Sequence, residues 1–555
     1  MRIYEKIKAI ARIAIGLSVA VAAFIWLGPA AINAAFEFEA TRHEIQRIIQ
    51  EKTGREIHLD GEIRFRLSTL TPGFRLTRVR LQNAHWSKRP NMLRFDSLDL
   101  RLRLLPLLLR GELDFSRIEL GSGELALETN REGRGNWRFD APKQSRPSSA
   151  TRLPSESPRA KVETRLNWLV EDLGIRDFTL IYENGETGRV RELRINAADL
   201  SIGEAKIGGD IDLSYGQSDL RGSIDFHSEA RLLSATLRSR LLDLDDFIGT
   251  ESRVRREARA RRGLPQPAHE PLPFQDLFKI DGNVAWRIAE LRREAWNIEN
   301  VFLKAKLKAG RLNLAPLTGS FAGGEFDAMI HANAREQSVG LNFDFQNVDL
   351  ARLLTDARER SLADAKLSAH VRLHGSGADV PALRGNLQGP IVFETGAIVI
   401  DQPVLFATVG PETAKAIRTW ADPLPRVECA LARIDFMRGS GTSKTLLLDA
   451  NELAVVGAGD VDLRRERLNL IFTLHSKRLS VFSLASAIPV HLNGSLTHPR
   501  IHVATVDVAK KVFLSALELP ALPVELIKGI YDVGVAPAKS LCPAARRKAM
   551  AGFPE

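Results

Sequence analysis

The chain of 555 residues is 44% hydrophobic and 26% charged, with a net charge of +10. This composition excludes a disordered chain and a polytopic membrane protein. The positive charge suits an anionic partner such as phospholipid headgroups. Aromatic residues make up only 6% of the chain, and no basic-aromatic stretch resembles a base-stacking platform. We therefore expect no nucleic acid partner.

The first predicted element is a membrane anchor. Residues 13–36 carry no charge, and a helix of about 20 residues is enough to cross the hydrocarbon core. Basic residues dominate positions 1–12, which predicts that this segment stays in the cytoplasm and that the bulk of the chain lies outside it. The alternative is a cleaved signal peptide. Its apolar core would be shorter, about 7–15 residues, so we favour the uncleaved anchor.

A short helix is predicted to follow the anchor over residues 37–54. Ile45, Ile48 and Ile49 recur at helical spacing, and Gly54 suits a helix C-terminus. In this interpretation the helix lies on the far side of the membrane from residues 1–12.

From residue 55 to about residue 505 the pattern changes to period two. Apolar and polar residues alternate, which indicates strands with one buried face, and glycine-centred breaks indicate turns. The sequence thus predicts a mainly β fold with few helices. The apolar positions of the clearest alternating runs are Leu98, Leu100, Leu102, Ile118, Leu120, Leu341, Phe343, Phe345, Leu367, Val371, Leu373, Leu468, Leu470, Phe472 and Leu474.

Two segments interrupt this region. Residues 141–160 are rich in Pro and Ser and are interpreted as a disordered loop. The second predicted loop, 250–273, contains six arginines between positions 253 and 262. Those arginines suit lipid headgroups. We favour a solvated loop instead, because the segment has no apolar face.

Helices are expected at three further places. Two short ones are predicted near 349–358 and 411–421, where apolar residues recur at helical spacing. A helical C-terminal tail is predicted over 506–555, broken by Pro520 and Pro523.

No motif points to catalysis, a cofactor or a metal. The sequence contains no P-loop, no HExxH and no GxSxG motif, and GAGD at 457–460 lacks the third glycine of a dinucleotide loop. His370 and His374 lie four residues apart in an alternating run. On a strand this separation is about 13 Å, too far for one ion, so we expect two solvated histidines.

Three blocks of sequence resemble the AsmA family, envelope proteins of Gram-negative bacteria related to TamB-type proteins. The blocks are residues 53–84 with their continuation to 139, residues 307–332 followed by NVDLARLL, and residues 457–501. The resemblance implies an elongated β-sheet curled into an open groove with an apolar concave face. It also implies kinship with bridge-like lipid transfer proteins and a link to phospholipid movement from inner to outer membrane.

The resemblance also bears on the two cysteines. Cys429 lies at a position that resembles the family pattern just before the third block, and Cys542 lies in a similarly placed C-terminal tail. This implies a disulfide that pins the tail to the sheet. Two free buried thiols remain the alternative.

Together these features predict a periplasmic protein, anchored in the inner membrane, that binds phospholipid acyl chains in a groove lined by the alternating apolar residues. For each of those residues the alternative is ordinary core between two sheets. The second hypothesis is a scaffold or chaperone for outer-membrane protein assembly, which would use exposed sheet edges and have envelope proteins as partners. An envelope hydrolase is the least favoured hypothesis.

Overall fold

The structure is a computed structural model of the full chain. The residues it describes are 39–68, 71–103, 114–139, 169–186, 188–248, 272–294, 296–353, 365–399, 426–451, 453–476, 489–496, 499–503 and 540–553. The predicted segments 1–12 and 13–36, the loop 141–160, the arginine-rich segment 253–262 and the helix 411–421 lie outside them. Among the described helices, none has both the length and the apolar character needed to cross a bilayer.

Strands dominate the described chain, which confirms the predicted mainly β fold. The strands are β1 (Ile57–Leu59), β2 (Ile63–Ser68), β3 (Thr71–Gln82), β4 (Asn91–Leu102), β5 (Asp114–Glu128), β6 (Leu169–Asn184), β7 (Arg189–Ile202), β8 (Lys206–Tyr215), β9 (Ser218–His227), β10 (Leu232–Asp243), β11 (Asp281–Arg293), β12 (Trp296–Lys308), β13 (Arg311–Phe321), β14 (Gly324–Asn333), β15 (Ser338–Asp349), β16 (Lys366–Ser376), β17 (Gly389–Thr395), β18 (Ile398–Val399), β19 (Arg426–Met437), β20 (Ser440–Ala450), β21 (Leu453–Asp462), β22 (Arg467–Ser476), β23 (Pro489–Ser495) and β24 (Pro499–Val503).

Helices are short and few in the described residues. They are α1 (Glu39–Thr53), α2 (Leu244–Ile248), α3 (Leu350–Leu353), α4 (Val380–Gly385), α5 (Cys542–Met550) and a 3-10 helix over Phe274–Phe278. The helix predicted near 349–358 thus contains α3, and its last residues lie outside the described chain. In the predicted tail, α5 is the described part.

The chain forms two compact units, and the first contains residues up to Glu229 together with Ala235–Arg240. Here β1 and β2 both pair with β3, and successive strands from β3 to β5 and from β6 to β9 are antiparallel neighbours. The β5–β6 pair is parallel. A parallel pair needs a long connection that returns along the strands. The Pro- and Ser-rich segment 141–160 falls in that connection.

The second unit contains Ala230–Ser234 and Leu241–Glu555. Successive strands from β11 to β17 are antiparallel, β17 and β18 both pair with β19, and the order continues to β24. Two-residue turns close several hairpins. Ala309–Gly310 and Ala322–Gly323 all have positive φ, as type I′ turns require, so the Ala-Gly pairs in the sequence have a structural cause.

Helix α5 covers one face of the second unit. Ala545 and Ala549 are fully buried, the first beside Leu447 and Val456 and the second beside Val392 and Leu431. The opposite face of the same strands is left for other contacts, because side chains alternate along a strand.

Covalent and polar contacts fix α5 in place. Cys429 and Cys542 form a disulfide with an Sγ–Sγ distance of 2.03 Å. The Arg433 guanidinium donates to the carbonyl of Ala549 at 2.8 Å, and buried Asp449 accepts from the backbone N–H of Leu541 at 2.8 Å. The sequence left paired and free cysteines open; the structure places them in a bond.

Candidate functional site

Apolar residues of the first unit form rows across neighbouring strands. Leu98 on β4 lies opposite Leu120 on β5, and Leu100 lies opposite Ile118. The rows continue onto β3 and β6, so apolar positions of four adjacent strands share one face. The two rows consist of Phe74, Leu100, Ile118 and Leu173, and of Leu76, Leu98, Leu120 and Ile175.

The other face of these strands is charged. Asp99 lies opposite Glu119, and Arg75 Nε donates to Asp99 Oδ1 at 2.6 Å. Arg117 Nε lies 2.6 Å from Glu119 Oε1. Paired charges on one face and aliphatic rows on the other make the strands amphipathic.

Burial separates the predicted lining residues of the first unit. Leu102 is only 5% exposed, so it is an ordinary core residue, whereas Leu98, Leu100, Ile118 and Leu120 are half-buried. Leu98 and Leu120 also pack against a buried cluster. That cluster consists of Leu59, Ile63, Val79, Phe95 and Phe178.

The same arrangement recurs in the second unit on β14–β16. Leu341 lies opposite Leu373, Phe343 opposite Val371, and Leu367 pairs with Val348 beyond a bulge. All the predicted residues on β15 and β16 are half-buried. The rows extend to β14 through Ile330, Ala328 and Phe326, which face Leu341, Phe343 and Phe345.

On β22 the predicted residues differ among themselves. Leu470 is 8% exposed and belongs to a buried cluster with Phe436, Leu446 and Val461. Leu468, Phe472 and Leu373 pack around that cluster and are half-buried. Leu474 pairs with Val455 in the backbone register.

The most distinctive feature of the second unit is an aromatic cavity of about 370 Å³. Phe343 and Phe345 stack within it, with ring centroids 5.9 Å apart and an interplanar angle of 10°. Phe326 lies 5.8 Å from Phe345. The lining residues are Leu244, Leu291, Arg292, Arg293, Trp296, Ile298, Phe321, Phe326, Phe343 and Phe345. This volume falls in the usual range for small-molecule sites.

Two arginines, Arg292 and Arg293, lie among the residues that line the aromatic cavity. Arg293 is exposed, and Arg292 Nη2 lies 2.7 Å from Glu290 Oε1. The hydrogen bond from Arg292 to Glu290 raises the pKa of Arg292 above its usual value. Arg292 is already paired with Glu290, so the exposed Arg293 is the cation that could meet the anionic part of a ligand whose aliphatic part lies on the apolar walls.

A second apolar cavity, of about 290 Å³, lies on β17 and β19–β22. It includes the predicted residue Phe472, and Phe393 beside it is 39% exposed. The lining residues are Phe393, Thr395, Ala430, Leu431, Ala432, Leu446, Leu447, Leu448, Val455 and Phe472. Apolar space therefore recurs along the strands of this unit.

Sequence reasoning missed eight of the ten residues that line the aromatic cavity, including three of its five aromatic side chains. Trp296, Phe321 and Phe326 were not among the predicted lining residues, although the Trp296 and Phe321 rings are in contact, with centroids 5.4 Å apart and an interplanar angle of 35°. Trp296 and Phe321 lie at strand ends, where alternation is short and turn residues intervene. Their signal in the sequence is an aromatic residue directly beside a hairpin turn.

The expectation of two solvated histidines is wrong for His370. Its Nδ1 lies 2.7 Å from Asp344 Oδ1, and Arg372 Nη2 donates to the other oxygen of Asp344 at 2.7 Å. The Phe553 ring covers the group, 5.9 Å from the His370 ring and 5.3 Å from the Arg372 guanidinium. His374 is exposed, as expected. This cluster lies on the face opposite Phe343 and helps to hold the C-terminal segment.

The pKa of Asp344 follows from these contacts. Burial opposes its ionisation, but hydrogen bonds from Arg372 and His370 outweigh that effect and hold the pKa below its usual value. A carboxylate with a lowered pKa in the folded protein contributes stability above the unfolded pKa, about 3.9, and loses it as the pH falls through the folded pKa.

Replacing Asp344 with asparagine is therefore expected to flatten the acid limb of the stability profile. The variant should be less stable at neutral pH, because Arg372 and His370 lose the negative charge and one of the two acceptor oxygens of Asp344. It should then lose less free energy of unfolding than the wild type between pH 7 and about pH 3. Urea denaturation at a series of pH values measures this. Parallel profiles for the two proteins would contradict the assignment.

One group of potential metal ligands occurs in the described residues, formed by Glu428, Asp449 and Cys542. The Cys542 sulfur is bonded to Cys429. It therefore offers no thiolate, and thiolate is the form of cysteine that binds metals. We assign no metal site to this group.

Comparison with known proteins identifies the family. The model of the AsmA family matches residues 4–231 and 192–402, which together span more than half of the chain. The first two blocks named above fall within these matches and the third lies beyond them. No curated protein and no solved structure matches the chain. The strand-rich fold and this match agree: the chain belongs to the AsmA family.

Proposed function

We propose that this protein is anchored in the inner membrane, lies mainly in the periplasm and holds phospholipid acyl chains on the apolar face of an open, curled β-groove. In this way it would support phospholipid transport to the outer membrane and the integrity of that membrane. The proposal includes no catalytic step, cofactor or nucleic acid. Its partners would be membrane phospholipids and further envelope proteins.

One observation carries the proposal: the apolar rows are half-buried and contain an aromatic cavity. Core residues between two packed sheets would be fully buried, as Leu102 and Leu470 are. The remaining predicted residues whose side chains are described are half-buried instead. A partly exposed face of this kind supports an aliphatic ligand over a second layer of protein.

The free energy gained by burying apolar surface favours acyl chains as that ligand. Burial of apolar surface contributes about 25 cal/mol per Å², or about 0.8 kcal/mol for each CH₂ group. Several methylene groups on the rows and in the cavity therefore offset the cost of ordering a flexible chain. An aliphatic and aromatic lining does not discriminate between acyl chains, which suits a carrier of mixed phospholipids.

The experiment is site-specific photocrosslinking in cells that express the full chain. A photoreactive phenylalanine analogue at Phe345, in the aromatic cavity, is expected to form phospholipid adducts. Met329 is the matched control, because it lies on the neighbouring strand β14, is 42% exposed and alternates to the face opposite Ala328 and Ile330. Mass spectrometry of the purified protein detects the adducts.

The outcomes separate the candidate functions. Lipid adducts at position 345 and none at 329 are the expected result. Adducts to outer-membrane proteins at 345, without lipid, would favour the scaffold or chaperone hypothesis. Equal lipid labelling at the two positions would mean that the apolar face has no special role.

A further inference from the structure

Three large aromatic side chains are exposed at one end of the strands in the first unit. Trp86, Trp137 and Phe139 are 39%, 42% and 43% exposed. Trp86 lies in the turn after β3, and the other two follow β5. Because β3 and β5 are both antiparallel to β4, they run in the same direction, and their C-terminal ends lie at the same end of the sheet's strands. We call these three residues the tryptophan surface.

A buried polar network holds the two turns that carry the tryptophan surface. Asn136 Nδ2 donates to Asn83 Oδ1 at 2.9 Å, and Asn83 Nδ2 donates to Glu128 Oε1 at 2.8 Å. Ser87 Oγ donates to the same oxygen of Glu128 at 2.7 Å. Asn83, Glu128 and Asn136 are each less than 10% exposed, at 8%, 4% and 1%. Buried networks of this kind are rigid when fully paired, so the exposed rings are held in fixed turns.

The tryptophan surface is also tied to the start of the fold. Arg55, two residues after α1, donates to the backbone carbonyl of Asn136, and its guanidinium lies 5.0 Å from the centre of the Phe139 ring. Helix α1 has 15 residues and is therefore about 22 Å long. In the sequence α1 follows the uncharged run 13–36 after two residues. The surface thus lies within one short helix of the predicted anchor.

The two turns are basic as well as aromatic. Residues 83–90 and 129–139 contain a single acidic residue, Glu132, against five lysines and arginines. Lys88 and Arg138 are both exposed beside the tryptophans. Tryptophan prefers the layer between hydrocarbon and water, and basic residues prefer anionic headgroups. The exposed tryptophans suit the layer between hydrocarbon and water, and the basic residues suit anionic headgroups. The combination is therefore complementary to an anionic phospholipid surface.

We propose that the tryptophan surface inserts into the headgroup layer of the membrane to which the chain is anchored, with an anionic phospholipid bilayer as its partner. The inference rests on the anchor included in the proposed function, but not on lipid transport. It places the first strands of the apolar face at the bilayer, where a phospholipid would leave the membrane.

The test uses the full chain in nanodiscs that contain phosphatidylglycerol. The native cysteines are bonded to each other, so a single new cysteine can be labelled with an environment-sensitive fluorophore in Trp86→Cys or Trp137→Cys. Lipids with a nitroxide near the headgroup should quench the label at either position several-fold. Ile207→Cys, at a residue that is 38% exposed at the opposite end of the strands of the same unit, is the matched control and should show little quenching.

A charge test completes the design. Adding Arg138→Glu to the labelled Trp86→Cys protein should reduce quenching in phosphatidylglycerol discs and have a smaller effect in neutral discs. Labels at 86 and 137 that stay as accessible to water as the label at 207 would overturn the proposal. So would protection that appears only in native membranes, since that result points to a protein partner. Lipid adducts at Phe345 test lipid binding in a separate experiment. A failure of the proposed transport function is therefore distinguishable from a failure of membrane insertion by the tryptophan surface.

Discussion

Replacing Phe343 with arginine is expected to remove bound phospholipid from the purified chain while leaving the protein folded. Phe343 is half-buried, stacks on Phe345 and lines the aromatic cavity. An arginine there places a charge where acyl methylenes would lie, and a buried charge without a partner is strongly unfavourable. Because the position is partly exposed, the new side chain can reach water when no lipid is bound. Native mass spectrometry with lipid extraction should show loss of most bound lipid.

Met329→Arg is the matched control for this substitution. Met329 is 42% exposed on the opposite face of the neighbouring strand, so a new charge there meets only solvent. Lipid content should stay at the wild-type level. If Phe343→Arg simply unfolds the chain, Phe343 is core. If the folded variant retains its lipid, the aromatic cavity is not the binding site.

Replacing Cys542 with serine should cause a large loss of stability. The disulfide joins residues that are 113 positions apart. Closing a loop of about 100 residues removes enough unfolded-state entropy to stabilise a fold by about 4–5 kcal/mol. The loss should be largest in α5 and the strands β17, β19, β20 and β21, against which Ala545 and Ala549 are buried. Hydrogen exchange of these elements, with urea denaturation of the whole chain, measures the effect.

Reduction of the wild type provides the control for Cys542→Ser. A reductant should shift the wild-type midpoint to that of the variant and leave the variant itself unchanged. An unchanged midpoint in both proteins would mean that the apolar and polar contacts of α5 suffice without the covalent bond.

The sequence predicted the strands well because their signal has an exact period of two. A strand places successive side chains on opposite faces whichever strands lie beside it. The alternation in stretches such as Leu98–Leu102 and Leu341–Phe345 can therefore be recognised without knowledge of the strand order. The amphipathic faces follow directly. The parallel β5–β6 pair was not foreseeable in the same way, because alternation does not distinguish strand directions.

The cavity could not be derived from alternation alone. Register shifts occur between Glu299 and Phe302 on β12 and between Leu314 and Leu317 on β13. Each bulge adds one residue and changes the face on which later side chains lie. Trp296 and Phe321 line the same cavity as Phe343 because of this combined geometry. The prediction of a solvated His370 failed for a related reason. The ring that shields His370 from solvent belongs to Phe553, almost two hundred positions away in sequence.

The order of the strands has a consequence for how the protein is made. With few exceptions, each described strand pairs with the strand next to it in the chain, so most pairings join elements that are neighbours in sequence. Assembly of this kind resembles growth of a one-dimensional array, in which each new hairpin pairs with the edge strand of the sheet that has already formed. A chain that emerges N-terminus first can therefore fold as it emerges. The disulfide to Cys429 can close only after Cys542 has emerged, so it forms later than the strand pairing around Cys429.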